Sequence, residues 1–314
     1  MSFIFFGSSE FAKIVLQKLL EAKMKPLLVI TNPLKPKGRK QILSPTPVYV
    51  LAQNENIPIL TPERLDDPKF IAEIKNLKPE FAILTAYGKI IPPELLAIPP
   101  KGFINLHPSL LPKWRGATPI QSAILNGDEE IGVSLFLMDE QVDHGPIIQN
   151  TVYRIQNTRI TYSELSEKLA ELGAKLVIEG VPKWLKGEIN TAPQEHSLAT
   201  YCQKISPQDE KIQWDKTNIE IDRQVRAFNP QPGVFTKAIS QGGDEIILKI
   251  IKGYPEEDSL EDLPGKVFSY QEKMAVKCGQ GFYVIEEIKP ASKRIMTSED
   301  FLRGNKWILN QILQ

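Results

Sequence analysis

The run Phe3-Ile4-Phe5-Phe6-Gly7-Ser8-Ser9-Glu10-Phe11-Ala12-Lys13-Ile14-Val15-Leu16-Gln17-Lys18-Leu19 decides the fold class. Four consecutive apolar residues describe a strand buried on both faces, and Gly7-Ser8-Ser9 ends it. Behind the turn, Phe11, Ile14, Val15 and Leu19 recur at helical spacing. The same alternation continues outward, with strands expected at Pro26–Ile30, Pro58–Leu60, Phe81–Thr85, Phe103–Leu106 and Gly132–Met138. Helices are expected between them at Val48–Asn54, Phe70–Asn76 and Ile120–Asn126. This is the grammar of an α/β protein: a doubly wound, Rossmann-like and mostly parallel sheet. Such sheets bind ligands beyond the carboxyl ends of their strands, which directs attention to the segments after Phe81–Thr85, Phe103–Leu106 and Gly132–Met138. Gly7-Ser8-Ser9 is not a GxGxxG turn, and no acidic residue stands at the expected distance after it. No dinucleotide site is read there.

Farther along, Thr161 and Glu164 form a capping box at the head of a helix reaching about Gly180. Val181–Ile205 is polar and contains proline, as a linker does. A second capped helix, opened by Thr217 and Glu220, stops at Asn229-Pro230. Short strands come next at Val234–Ser240, Glu245–Ile251, Lys266–Tyr270, Met274–Cys278 and Phe282–Ile288, the first two joined by a turn at Gln241-Gly242-Gly243-Asp244. Five such strands suggest a small, mostly β barrel of OB-like type. The boundaries drawn are 1–186 for the α/β domain, 187–205 for the linker and 206–314 for the barrel.

Composition narrows the function classes. At 314 residues the chain has room for two domains. Hydrophobic residues make up 42% and charged residues 24%, which excludes disordered and collagenous chains. Lys plus Arg equals Asp plus Glu at 38 each, so nucleic-acid binding must rest on a local patch. Two cysteines cannot build a disulfide framework or a structural zinc site. No apolar run reaches the ~20 residues of a membrane span. The start, Met1-Ser2-Phe3-Ile4-Phe5-Phe6, lacks the cationic head of a signal peptide, and a cytoplasmic location is expected.

Three segments carry chemistry. From Ala22 to Asn54 there is no acidic residue, while Lys23, Lys25, Lys35, Lys37, Arg39 and Lys40 are cationic. That makes the proline-broken loop at residues 31–47 an anion-binding patch or a solvated surface loop. In Ile104-Asn105-Leu106-His107, an amide and an imidazole share one face at the end of a strand. Those are the donors that a developing oxyanion needs. In Val142-Asp143-His144-Gly145-Pro146, Asp143 could orient His107 and accept a proton, although the segment is also good turn chemistry. No ligand cluster with metal spacing accompanies these residues, and no metal is expected.

Asn105-Leu106-His107 followed by Ser109-Leu110-Leu111-Pro112 resembles the signature of the folate-dependent formyltransferases. Val142-Asp143-His144-Gly145 resembles that family's second catalytic segment, and Ala86-Tyr87-Gly88-Lys89-Ile90-Ile91-Pro92 its folate-side loop. Further features resemble the methionyl-tRNA branch of the family. These are Pro36-Lys37-Gly38-Arg39-Lys40 with Ser44-Pro45-Thr46-Pro47-Val48, and Trp114-Arg115-Gly116-Ala117-Thr118-Pro119-Ile120-Gln121 at an expected helix start. In the second domain they are Tyr201–Ile205 and Arg226-Ala227-Phe228-Asn229-Pro230.

The resemblance implies a 10-formyltetrahydrofolate co-substrate, with no permanently bound cofactor. It implies formyl transfer to the α-amine of initiator methionyl-tRNA by a monomer, with Asn105, His107 and Asp143 as catalytic residues. Tyr87, Lys89, Ile91, Ser109, Leu110, Leu111 and Pro112 would line the folate side, largely through backbone groups. Lys37, Arg39 and Lys40 would reach the tRNA acceptor end, and the barrel would contact the tRNA body. From Ser206 onward the chain has 15 Lys and Arg against 17 Asp and Glu, so an RNA face there must be a patch. A nucleotide-sugar formyltransferase with the same donor and the same three residues is the alternative reading.

Overall fold

The computed structural model describes residues 1–37, 42–257 and 262–314. The chain divides into two compact units. The first gathers Met1–Pro119, Glu130–Ile155 and Leu165–Gln203; the second gathers Ile120–Glu129, Gln156–Glu164 and Lys204–Gln314.

The chain opens with β1 (Phe3–Phe6), α1 (Glu10–Glu21), β2 (Leu28–Ile30), β3 (Lys35–Lys37), β4 (Ile42–Ser44), α2 (Pro47–Asn54) and β5 (Ile59–Leu60). Next come α3 (Pro68–Leu77), β6 (Phe81–Leu84), α4 (Pro93–Leu96), β7 (Phe103–His107), β8 (Arg115–Gly116) and α5 (Pro119–Asn126). Beyond them lie β9 (Glu130–Leu137), β10 (Ile147–Arg154), α6 (Tyr162–Leu185) and β11 (Tyr201–Cys202). Seven strands of the first unit form one sheet in the order β10-β9-β7-β6-β1-β2-β5. The five from β7 to β5 are parallel. β1, β6 and β7 are buried along their whole length, which is why β1 and β6 read as unbroken apolar runs. Ser9 caps α1, its hydroxyl accepting from the Ala12 N–H, and Thr46 caps α2 in the same way.

The first unit departs from the sequence reading in three places. β9 joins antiparallel, with Ile104 opposite Leu137 and His107 opposite Ser134. Its carboxyl end therefore lies beside the amino end of β7, not at the edge where the sequence directs the search for ligands. β10, antiparallel to β9, has no counterpart among the expected strands. It alternates half-buried and exposed positions, and Gln149, Asn150 and Thr151 hide it in a polar stretch. Finally, the expected linker is built into this unit as far as Gln203. β11 pairs with β8 at the expected helix start, and Ala192 bridges to Ile147. The approach at β8 needs glycine: a Cβ on Gly116 (φ +119°) would stand 2.1 Å from the Cys202 carbonyl oxygen.

In the second unit α7 (Asn218–Phe228) carries the Thr217–Glu220 capping box. It is followed by β12 (Val234–Ile239), β13 (Glu245–Glu256), β14 (Val267–Tyr270), β15 (Lys273–Lys277), β16 (Phe282–Pro290), β17 (Met296–Thr297) and α8 (Ser298–Gly304). The antiparallel sheet runs β12-β13-β16-β15-β14, with β17 on β16. The long β13 is irregular between Ile250 and Gly253, and bulges there bend it. Residues 310–314 hydrogen-bond to Lys237 of β12 and to Gly265 and Val267 beside and in β14. The two edge strands thus share one tail, and the sheet curls into a half-barrel around Leu248, Ile250, Val267, Met274, Val276, Tyr283 and Ile285.

Candidate active site

β7 brings Asn105 and His107 to one face of the sheet, two residues apart. Both side chains are buried, at 8% and 5% exposure. Asp143 arrives from the connection between β9 and β10. That connection closes where the Leu137 N–H donates to the Pro146 carbonyl at 2.9 Å. Gly145 permits the closure, since a Cβ there would lie 1.8 Å from the Leu137 carbonyl oxygen. The loop carries Asp143, at φ 49°, back beside β7. There one carboxylate oxygen accepts from Asn105 Nδ2 at 3.4 Å. The other accepts from the Gly116 N–H at 2.8 Å and lies 3.5 Å from His107 Nδ1.

The imidazole sits between two acceptors. His107 Nε2 is 2.9 Å from the carbonyl oxygen of Trp114. A carbonyl only accepts, so Nε2 carries the hydrogen of this contact. The 3.5 Å separation on the carboxylate side exceeds the 2.7–3.2 Å of an ordinary bond, so Nδ1 is held only loosely. An amide donor, an imidazole nitrogen and a carboxylate therefore surround one spot. Such a set can bind a developing oxyanion and take up a proton in one step. His144 does not join it: its Nδ1 meets Asp139 at 2.6 Å and its ring stacks on His196 at 4.0 Å. Among the described residues, no group of three His, Cys, Asp or Glu could hold a metal.

Residues 1–181 match the family described as formyl transferase, and residues 204–306 match the formyl transferase C-terminal domain. A methionyl-tRNA formyltransferase of Thermodesulfovibrio yellowstonii is 39% identical over 303 residues, covering 96% of each chain. One from Roseiflexus castenholzii is 37% identical over 303 residues, covering 96% of this chain and 95% of its own. The chain belongs to the methionyl-tRNA formyltransferase family. Its fold is shared with the crystal structure of HypX from Aquifex aeolicus in complex with tetrahydrofolic acid (TM-score 0.64, 18% identity, 96% of this chain and 47% of that one). The chain spans about half the length of HypX.

The residues that the formyltransferase resemblance assigns to the folate side are placed unevenly. Tyr87 and Ile91 point into the core of the first unit, Tyr87 edge-on to Phe6. Burial pushes the Tyr87 phenol well above its usual range. Lys89 turns its ammonium onto the carbonyls of Pro62 and Glu63. Ser109 donates to the Lys113 carbonyl at 2.6 Å, while Ser134 of β9 donates to the Ser109 carbonyl and accepts from the Leu111 N–H. Leu110 lies against Gly132, and the Pro112 carbonyl accepts from Thr200. Tyr87, Ile91, Ser109 and Leu111 are spent on packing, so what these residues offer a ligand is chiefly main chain.

Ile90, at 84% exposure, is the apolar side chain of that loop turned to solvent, where the sequence reading named Ile91. Lys37 ends β3 in a hairpin with β4. Arg39 and Lys40, expected at the tRNA, lie outside the described residues. The reading of the sequence quoted Arg115 within a family segment without giving it a role, and it missed Ser134 and Gln194. Nothing in their local composition marks them, because each gains its role from a partner far along the chain.

Proposed function

We propose that this chain transfers the formyl group of 10-formyltetrahydrofolate to the α-amine of initiator methionyl-tRNA. The observation that carries the reading is the meeting of Asn105, His107 and Asp143 in a member of this family. The neutral amine attacks the formyl carbon and gives a tetrahedral oxyanion. With an unperturbed α-amine pKa of ~7.7–8.0, the nucleophile needs little activation near neutrality. The demand falls on holding two substrates together and on the oxyanion.

Asn105 Nδ2 and the loosely held Nδ1 of His107 donate to that oxygen, while the Trp114 carbonyl keeps the ring in place. Asp143 accepts the proton that the attacking nitrogen sheds. Collapse then expels N10 of the folate, which takes up the proton that Asp143 holds and returns the carboxylate to its starting state. The main chain of residues 86–92 and 109–112 recognises the pterin edge. The cations Lys37, Arg39 and Lys40 meet the tRNA acceptor end, and the half-barrel meets the tRNA body. The enzyme would act as a monomer, in the cytoplasm where charged tRNA is found. No described helix is long and apolar enough to cross a membrane.

The test offers 10-formyltetrahydrofolate with charged initiator methionyl-tRNA, free methionine and an amino-sugar nucleotide in parallel. Transfer to the charged tRNA alone is expected; transfer to the sugar alone would move the chain to the nucleotide-sugar branch. For the basic loop, Arg39→Ala should raise the tRNA KM and lower the slope of its salt dependence by about one ion. An unchanged slope would make the loop a solvated surface.

A further inference from the structure

We infer that Gln194 is a positioning residue for formyl transfer. Its carboxamide, braced by Arg115, fixes the main chain at Asp143 and Gly145 so that the Asp143 carboxylate stays between Asn105 and His107. The inference rests on reading Asp143 as the catalytic carboxylate.

Gln194 and Arg115 are both buried, at 5% and 3% exposure, although the sequence places one in a polar stretch and the other at an expected helix start. Gln194 Nε2 donates to the Asp143 carbonyl at 3.0 Å and to the Gly145 carbonyl at 2.8 Å. Its Oε1 accepts from Arg115 Nε at 3.2 Å and Nη2 at 2.7 Å. Two N–H groups and two lone pairs are all that a carboxamide has, and all four are used. The orientation is forced as well. A guanidinium can only donate and a carbonyl can only accept, so the amide cannot be turned over.

The brace continues past Arg115. Its Nη2 donates to His196 Nδ1 at 2.8 Å, and His196 stacks on His144, the residue between the two clamped carbonyls. The 138–146 loop is thus gripped by its main chain at Asp143 and Gly145 and by its side chain at His144. Two features say that the grip has a purpose beyond packing. Asp143 holds a φ of 49°, a left-handed conformation rare outside glycine and Asn or Asp, and the bond to its carbonyl secures it there. Arg115 is a buried cation among neutral partners, with no carboxylate ion-paired to it among the described residues. That arrangement is costly and is poorly explained by stability alone.

The decisive variant is Gln194→Glu. It preserves volume and the bond to Arg115, but sets an acceptor against the two carbonyls in place of two donors. Nitrogen NMR of the imidazoles in the full chain reads the result without any substrate, and with three histidines the signals can be assigned by single substitutions. We expect the His107 Nδ1 resonance to move as the carboxylate leaves it, with circular dichroism unchanged. Turnover should fall about 10- to 100-fold, the scale of a misplaced reacting group. Both KM values should stay within about threefold, because no ligand contact is touched.

In an Asp143→Asn background the same substitution should cost less than about twofold, because its effect passes through that carboxylate. An unmoved His107 resonance in a folded variant, or an equal loss of turnover in both backgrounds, overturns the inference. Gln194→Met, which lacks donors and charge, serves if the glutamate variant does not fold. Should Asp143→Asn alone keep full turnover, the catalytic reading of Asp143 fails, and the NMR result still decides the positioning.

Discussion

The Asn105–His107–Asp143 centre and the 86–92 loop lie at the ends of neighbouring strands, β7 and β6, of one sheet, yet they are built in opposite ways. At the centre the working groups are side chains, buried and bonded to one another. In the loop the side chains of Tyr87 and Ile91 are sunk into the core, and Asn32 ties down the Tyr87 carbonyl at 2.8 Å. Left-handed turns at Ala86 (φ 45°) and Gly88 (φ 81°) leave main chain and the large apolar side chain of Ile90 on the outside. A reacting group has to be held to a fraction of an ångström, which favours a side-chain network. A flat heterocycle with donors and acceptors on its edge can be matched by backbone. The lesson is that substitution should damage kcat in the first region and KM in the second.

The largest effect should come from Asp143→Asn, which keeps the shape of the centre and removes the proton acceptor. Single-turnover assays should show at least a ~10²-fold slower formyl transfer with substrate binding intact. Near-normal turnover would break the comparison at its first term. Gly145→Ala comes next. Its Cβ would strike the Leu137 carbonyl, so the loop must move. Thermal unfolding should report a loss of about 2–3 kcal/mol, and kcat should drop at least tenfold; an unaffected variant would mean that Asp143 does not depend on the closure of its loop.

On the other side, Lys89→Met frees the 86–92 loop from Pro62 and Glu63. Folate KM should rise about 3- to 10-fold at constant kcat, the signature of lost uniform binding. A fall in kcat instead would place Lys89 with the centre. Smallest of all, Ile90→Ala removes an exposed side chain. The melting temperature should not change and folate KM should rise by about twofold, as loss of a modest apolar contact would do. A loss of stability would show that Ile90 packs against something.

Much of this was legible in the residues. β1 and β6 announce themselves because a strand covered on both faces leaves no polar position to blur the run. Asn105 and His107 declare a shared face by their spacing. The direction of β9 was not legible, since a buried run reads alike in either orientation, and its reversal is what forces Asp143 to be carried back by a loop. β10 escaped because an edge strand tolerates polar residues. Gln194 escaped for a deeper reason. A glutamine between prolines and charges reads as solvated, and only the Arg115 guanidinium, 79 residues earlier, makes it a buried residue.

The clamp at Asp143 also sets an order of events. Asn105 and His107 leave the ribosome first, and Asp143 comes after them. The residue that fixes the Asp143 main chain is 51 positions later still. At roughly 5–20 residues per second, that gap is about 3–10 seconds of synthesis. Through that interval β7 and β9 can already be paired while the Asp143 loop is free to leave its left-handed conformation. If Asp143 is the reacting carboxylate, the centre of the nascent chain can be locked only after Gln194, a residue that carries no reacting group, has been made.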